Sequence, residues 1–260
     1  ASAIMVEAFH QAGVPTDQLL LLDSSNQAAI DAIEQGVDQV ILTGAAQTGR
    51  KVLRSTADNL SASIMELSGC DAVIVIAGAD LERLRVAIRF GLQFNGSATC
   101  IGPRRLMVVP AEREAVLDTL VTEIRSMGPV GVHPSARQRV ADEIGGALQA
   151  GAVDVLDRYS DKQLREQGVM YPLLLDRVEP DASIASADLF APVMSVVRIG
   201  NLDDAVMQVN QCPYRLAASV FGPPDQAQQI AGRLDVGTVT INDLIAPTGD
   251  PRLPFGGRGQ

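Results

Sequence analysis

The chemistry in this sequence centres on a cysteine and a glutamate thirty-four positions apart. Cys100 closes the run Leu92-Gln93-Phe94-Asn95-Gly96-Ser97-Ala98-Thr99-Cys100, in which small residues replace a helical pattern just before the thiol. A thiol at the end of a helix–loop device can be held still while its sulfur stays open to an electrophile. Glu66 is the only charge in the apolar run Ile64-Met65-Glu66-Leu67, which Ser68-Gly69 ends. A carboxylate so placed is partly desolvated, which suits a general base. Taken singly, each residue also has a structural reading. Free cysteines usually pack as small hydrophobes, and a lone strand glutamate usually faces solvent.

The elements that must position these groups follow from apolar periodicity. Leu81, Leu84, Ile88 and Gly91, at spacings of three and four, predict a helix leading into the Cys100 turn, and Leu106 to Val109 predicts the strand after it. Upstream, a first helix carries Ile4, Met5, Ala8 and Phe9 on one face and is closed by Gly13 and Pro15. Strands are expected at Leu19–Leu22 and Gln39–Leu42, with helices at Ala28–Gln35 and Arg50–Asn59. Between the second strand and the second of these helices lies Thr43-Gly44-Ala45-Ala46-Gln47-Thr48-Gly49. Such a turn gathers backbone N–H groups and a positive helix end, as a phosphate requires, although an ordinary βα turn has the same composition.

Downstream, Cys70–Ile76 predicts a strand, and Val116, Leu117, Leu120, Val121 and Ile124 predict a helix. Further helices are expected at Pro134–Gln149, Asp203–Val209 and Asp225–Leu234. Strands are expected at Val169–Leu175, Val193–Ile199 (the latter with alternating burial), Ala217–Phe221 and finally Gly237–Ile241. Strands alternating with helices of this length predict an α/β fold built on a doubly wound parallel sheet.

Composition narrows the function classes. Lys and Arg total 21 against 31 Asp and Glu, a net charge of −10. An acidic surface argues against nucleic acid or an anionic membrane as partner. No apolar run has the length of a membrane span. The three cysteines (Cys70, Cys100 and Cys212) show no paired spacing and read as reduced thiols in a cytoplasmic protein. Two histidines and no Cys-x-x-Cys supply no zinc set. A cysteine hydrolase would need a histidine near Cys100, for which His133 is the candidate.

Several of these stretches together resemble the aldehyde dehydrogenase superfamily. Met65-Glu66-Leu67-Ser68-Gly69 is similar to its L-E-L-G-G motif, and Phe94 to Cys100 to its F-N-x-G-Q-x-C motif, at an interval that also fits. Leu42 to Gly49 is similar to F-T-G-S-x-x-V-G, with Ala45 in place of the serine. Asp188-Leu189-Phe190-Ala191-Pro192-Val193 is similar to E-x-F-G-P-V, with an acid one methylene shorter. Gly237 to Asn242 and Pro254-Phe255-Gly256-Gly257 match a G-T-V-x-x-N strand and a P-F-G-G turn.

The resemblance implies Cys100 as nucleophile and Glu66 as general base. It implies NAD or NADP as cofactor, held by Gly44, Ala45, Gly49, Leu67, Asp188 and Phe190, and a small aldehyde as substrate. Phe94 and Phe255 are candidates to line the substrate tunnel, and both fit a core position equally well. No metal is implied. The resemblance further implies residues 1–69 as the last part of a dinucleotide-binding domain whose N-terminal part is missing, and 70–260 as the catalytic domain. It implies a homo-oligomer, and an upstream segment with an Asn for the oxyanion and a Lys for the adenosine ribose. The departures Ala45, Ser68, Gly96-Ser97-Ala98 and Asp188 leave open a second reading, an impaired relative kept for structure or oligomerisation without cofactor.

Overall fold

The computed structural model describes residues 1–259, which divide into two compact units, Ala1–Glu66 and a second from Leu67 onward. The first unit holds α1 (Ser2–Gln11), α2 (Asn26–Glu34), β1 (Gln39–Thr43), α3 (Ala46–Asn59) and β2 (Ala62–Glu66). β1 and β2 pair in parallel from Gln39 opposite Ala62 to Thr43 opposite Glu66, with α3 as the crossover. Ser25 starts α2 by accepting a hydrogen bond from the Ala28 N–H. Neither α1 nor α2 buries a residue completely. The expected strand at Leu19–Leu22 does not form, and Leu20, Leu21 and Leu22 are exposed. An apolar run makes a strand only where a neighbour completes its ladder, and this segment has none among the described residues.

The second unit runs β3 (Asp71–Val75), α4 (Leu81–Gln93), β4 (Pro103–Val108), α5 (Arg113–Arg125), β5 (Val130–Gly131), α6 (Pro134–Gln149), β6 (Val153–Asp154), β7 (Val169–Met170) and β8 (Leu173–Val178). It continues with β9 (Val193–Val197), α7 (Leu202–Gln211), β10 (Tyr214–Arg215), β11 (Ala217–Phe221), α8 (Pro224–Ala231), β12 (Thr238–Ile241) and β13 (Arg258–Gly259). Among the described residues its main sheet has seven strands in the order β12-β11-β3-β4-β9-β8-β6. All neighbours are parallel except β6, which runs against β8. The doubly wound expectation holds.

Three expectations are corrected here. Val169–Leu175 is two strands, because Pro172 has no N–H to continue a ladder. β7 pairs with β5, while β8 joins the main sheet. Val193–Val197 is buried throughout rather than alternately, because β9 lies between β4 and β8 with helices over both faces. Gly237–Ile241 is not the last strand, since β13 pairs with β10 over two residues, too few to show a period.

Successive strand residues point to opposite faces, and the two faces build two cores. Ala72, Ile74 and Met107 pack with Val140 and Ile144 of α6 and Val206 and Val209 of α7. Val73, Val75 and Leu106 pack with Leu84 and Ile88 of α4 and Leu120 and Ile124 of α5. A sheet covered on both faces explains why its central strands read as continuous apolar runs.

Asp71 is the exception at the head of β3. It is buried, and its Oδ1 accepts the Ala217 N–H at 3.0 Å, clipping the start of β11 to β3. Burial pushes its carboxyl up to about 8, against the Ala217 hydrogen bond and the charges of Arg105 and Arg104. The folded chain then holds one proton more than the unfolded chain between about pH 4 and the folded value. Stability conferred by protonated Asp71 is complete below that window and falls as pH rises through it, by up to roughly 1.4 kcal/mol per pH unit. Asp71→Asn keeps the acceptor and removes the proton. Urea unfolding from about pH 5 to about pH 9 is expected to show a shallower pH slope for Asp71→Asn, and a more stable variant at the alkaline end. An unchanged slope would refute the buried protonated carboxyl.

Candidate active site

The Cys100 turn is assembled from strained backbone and one buried cation. α4 ends at Gln93, and Asn95, Gly96 and Ser97 follow with φ of +51°, +63° and +60°. Positive φ costs about 1 kcal/mol or more for a residue with a Cβ, so something must hold Asn95 and Ser97 there. The Asn95 side-chain amide donates to the Ala98 carbonyl at 2.9 Å. Arg104 does the rest. Its Nη1 donates to Ser97 Oγ at 2.9 Å and to the Ala191 carbonyl at 2.8 Å, and its Nη2 to the carbonyls of Ser97 and Thr99.

Arg104 is buried, and the loss of water pulls its guanidinium down from the usual range. Cys70, Asp188, Asp71 and Cys100 work against that fall in their ionised forms. Cys100 itself is half-buried, one turn before β4.

Gly69 explains the glycine of its motif. A Cβ there would lie 1.9 Å from the Cys100 carbonyl oxygen, so only glycine lets the two segments meet. One residue earlier, Ser68 is buried and its hydroxyl hydrogen-bonds the Asp188 carboxylate. Asp188 is itself buried, which raises its carboxyl, while Ser68 and the charges of Arg104 and Arg139 lower it. Two departures from the motifs thus meet in one hydrogen bond: the shorter acid is oriented by the serine that replaces a glycine. Asp188 Oδ1, together with Thr99 Oγ1 and Arg104 Nε, is buried with no hydrogen-bond partner in the structure. A buried carboxylate oxygen left open is what a ligand hydroxyl would satisfy.

Ser68, Gly69, Cys100 and Asp188 all precede the parallel strands that follow them, β3, β4 and β9. The candidate site therefore lies at the amino-terminal edge of this sheet. Many open α/β sheets instead bind ligands at the carboxyl edge.

In the first unit, the Gly44 N–H donates to the Glu66 carbonyl at 3.0 Å, so the expected phosphate turn and Glu66 share one end of the β1–β2 pair. Ala45 is the N-cap of α3 and offers no side-chain hydrogen bond, which leaves the first-turn N–H groups for an outside acceptor. Gly49 is buried on α3. Leu67 and Glu66 are half-buried. Phe94 stacks on Phe90 with ring centroids 5.2 Å apart, and Phe94, Phe190 and Phe255 are all exposed.

The two late motifs are brought together, since a Cβ on Gly237 would lie 1.7 Å from the Gly256 carbonyl oxygen. Asn242 clips strand ends by exchanging two hydrogen bonds with the Gly222 backbone. His133 is exposed and caps α6, its Nδ1 engaged with Ser135. Sequence reasoning missed Arg104, whose signal was a pair of arginines set in an apolar run directly after the cysteine.

Known proteins share this fold. The chain matches the aldehyde dehydrogenase family over residues 1–260 and belongs to that family. It is 32% identical to a succinate-semialdehyde dehydrogenase [NADP(+)] from Deinococcus radiodurans, over 98% of this chain and 56% of that protein. It is 30% identical to a 4,4'-diapolycopene aldehyde oxidase from Methylomonas sp., over 99% of this chain and 49% of that protein. The structure superposes on an NAD-dependent aldehyde dehydrogenase from Sinorhizobium meliloti with a TM-score of 0.88 at 28% identity, covering 99% of this chain and 53% of that one. The chain spans about half the length of the curated relatives it matches.

The geometry at Arg104 yields a sharp expectation. A lysine keeps the charge but brings three donors to four acceptors and lacks the planar fork. Arg104→Lys should leave at least one buried acceptor unpaired. Urea unfolding should show a loss of roughly 1–3 kcal/mol, and peptide mapping should show an altered rate of Cys100 alkylation. A variant matching the parent in both would remove Arg104 from this role.

Proposed function

We propose that this chain carries the nucleophile of an NAD(P)-dependent aldehyde dehydrogenase that converts a small aldehyde into a carboxylic acid, with Cys100 as nucleophile and Glu66 as general base. The observation that carries the reading is the presentation of Cys100. A strained turn, a buried guanidinium and a glycine from the glutamate's own motif fix its backbone while its side chain stays half-exposed. Such preorganisation has no use for a cysteine that merely packs.

The Cys100 thiolate attacks the aldehyde carbon, and the Cys100 backbone N–H is a candidate donor to the resulting oxyanion. NAD or NADP, when bound, would supply the hydride acceptor that this step requires, and loss of hydride from that carbon would leave a thioester on Cys100. Glu66 then removes a proton from the water that hydrolyses the thioester. The residues present fit the cofactor. Asp188 Oδ1 is buried and open for a ribose hydroxyl, with Ser68 fixing the carboxylate's direction. The uncapped start of α3, with Gly44, Ala45 and Gly49, suits the phosphates. Phe190 is assigned to the nicotinamide, Leu67 to the cofactor, and Phe94 and Phe255 to the substrate, by their motifs.

The Ser68–Asp188 pairing favours this reading over an impaired relative, since drift without function would not be expected to match a shortened acid with a new donor. The reading carries with it a homo-oligomeric protein. It also carries a cytoplasmic location, supported by cysteines that show no disulfide framework.

Hydrolysis of an activated aryl ester tests the two roles without cofactor. Cys100→Ala should abolish it. Glu66→Gln should keep a burst of one equivalent of the phenol while slowing later turnover by roughly 10²–10⁴, the usual contribution of a general base. Ester turnover that survives Cys100→Ala would overturn the nucleophile, and a Glu66→Gln variant with parental turnover would overturn the base.

A further inference from the structure

The second unit holds another pair of sulfurs that this reading does not use. Cys70 lies at the head of β3 and Cys212 directly after α7, 142 positions apart in the chain. Both are buried, and their thiols hydrogen-bond to each other. Arg105 fastens the two segments together: its Nε donates to the Cys70 carbonyl at 3.0 Å and its Nη1 to the Gln208 carbonyl of α7 at 3.2 Å. Cys212 also forms part of the wall of a cavity of about 710 Å³, together with Arg105, Ala185 and Gln208. Cys70 does not reach that wall, and its sulfur is turned toward the Ala185 carbonyl at 3.9 Å.

The two sulfurs are electrically unequal. Hydrogen bonding to Cys212 and burial both push the Cys70 thiol up. Cys212 is drawn down by the hydrogen bond from Cys70, the charges of Arg105 and Arg215 and the Tyr214 N–H, which outweigh its own burial. Cys212 is thus the more readily ionised of the two sulfurs and lies beside a cavity, with the Cys70 thiol behind it.

We propose that Cys212 is a hydroperoxide-reactive thiol and that Cys70 resolves it to a Cys70–Cys212 disulfide. The Cys212 sulfur attacks one peroxide oxygen; an S–O bond forms, the O–O bond breaks and hydroxide departs to be protonated to water. The peroxide is reduced by two electrons and Cys212 is oxidised to a sulfenic acid. The Cys70 sulfur then attacks the Cys212 sulfur; the S–S bond forms, the S–O bond breaks, and the oxygen leaves as a second water with the Cys70 proton. A dithiol reductant reverses the sequence. The disulfide would also be felt at Cys100, because Gly69, bonded to Cys70, lies against the Cys100 carbonyl with no room to spare. The device does not depend on the dehydrogenase reading, since it asks nothing of Cys100 except its position.

The test is to treat the chain with hydrogen peroxide, with and without dimedone, block remaining thiols with iodoacetamide and map the peptides without reduction. A Cys70–Cys212 cross-linked peptide is expected, lost on treatment with dithiothreitol. In Cys70→Ala the cross-link should be replaced by a dimedone adduct on Cys212, and in Cys212→Ser Cys70 should remain a thiol. In the oxidised parent the rate of Cys100 alkylation should differ from that of the reduced parent. Recovery of Cys212 as a thiol from the treated parent, or a disulfide that involves Cys100, would overturn the proposal. A Cys70–Cys212 disulfide with Cys100 alkylation unchanged would overturn the coupling to Cys100. The parent chain decides the main question even if a variant does not fold.

Discussion

The second unit depends on a guanidinium placed where water cannot reach it. Taking an arginine out of solvent costs several kcal/mol, and the cost is offset only if its donors are used and opposite charge lies close. Arg104 meets both conditions at its two terminal nitrogens, although its Nε is left without a partner. Those nitrogens reach Ser97, Thr99 and Ala191, and Asp188 supplies countercharge. The segment between α4 and β4 and the segment before β9 are therefore joined through one side chain. Without it, nothing in the local sequence would keep Ser97 at positive φ, and the thiol three residues on would lose its fixed direction.

Around that cation the structure uses small residues wherever two backbones must touch. Gly69 lets the approach to β3 rest on the Cys100 carbonyl, and Gly237 does the same for the turn at Gly256. Ser68 is the smallest side chain that can still direct the Asp188 carboxylate. These contacts fall at one edge of the parallel sheet because the segments entering β3, β4 and β9 all arrive there. The rigid core below them, packed on both faces, holds the edge still.

Adjacent arginines at 104 and 105 take opposite tasks because a strand alternates its side chains between faces. Arg104 serves the Cys100 turn, and Arg105 joins Cys70 to α7. A single β-strand thus services two separate sulfur sites. The first unit is built differently: its two strands and three helices bury few side chains, with Ala46, Gly49 and Thr56 the buried residues of α3.

By itself, the sequence determined the alternation of strands and helices, the doubly wound class and the identity of the residues able to do chemistry. These are carried by local signals: apolar periodicity, glycine and proline punctuation, and a cysteine after a small-residue turn. The helix at Pro134–Gln149 and the strand at Ala217–Phe221 fall where that pattern put them. Tertiary structure alone decided which apolar runs became strands, because a ladder needs a partner: Val193–Val197 found two, and Leu19–Leu22 found none among the described residues. It alone paired Ser68 with Asp188 and Cys70 with Cys212, more than a hundred residues apart, and gave Arg104 its acceptors. Those are contacts between segments remote in sequence, and their energies come from burial, which no residue carries until the chain has folded around it.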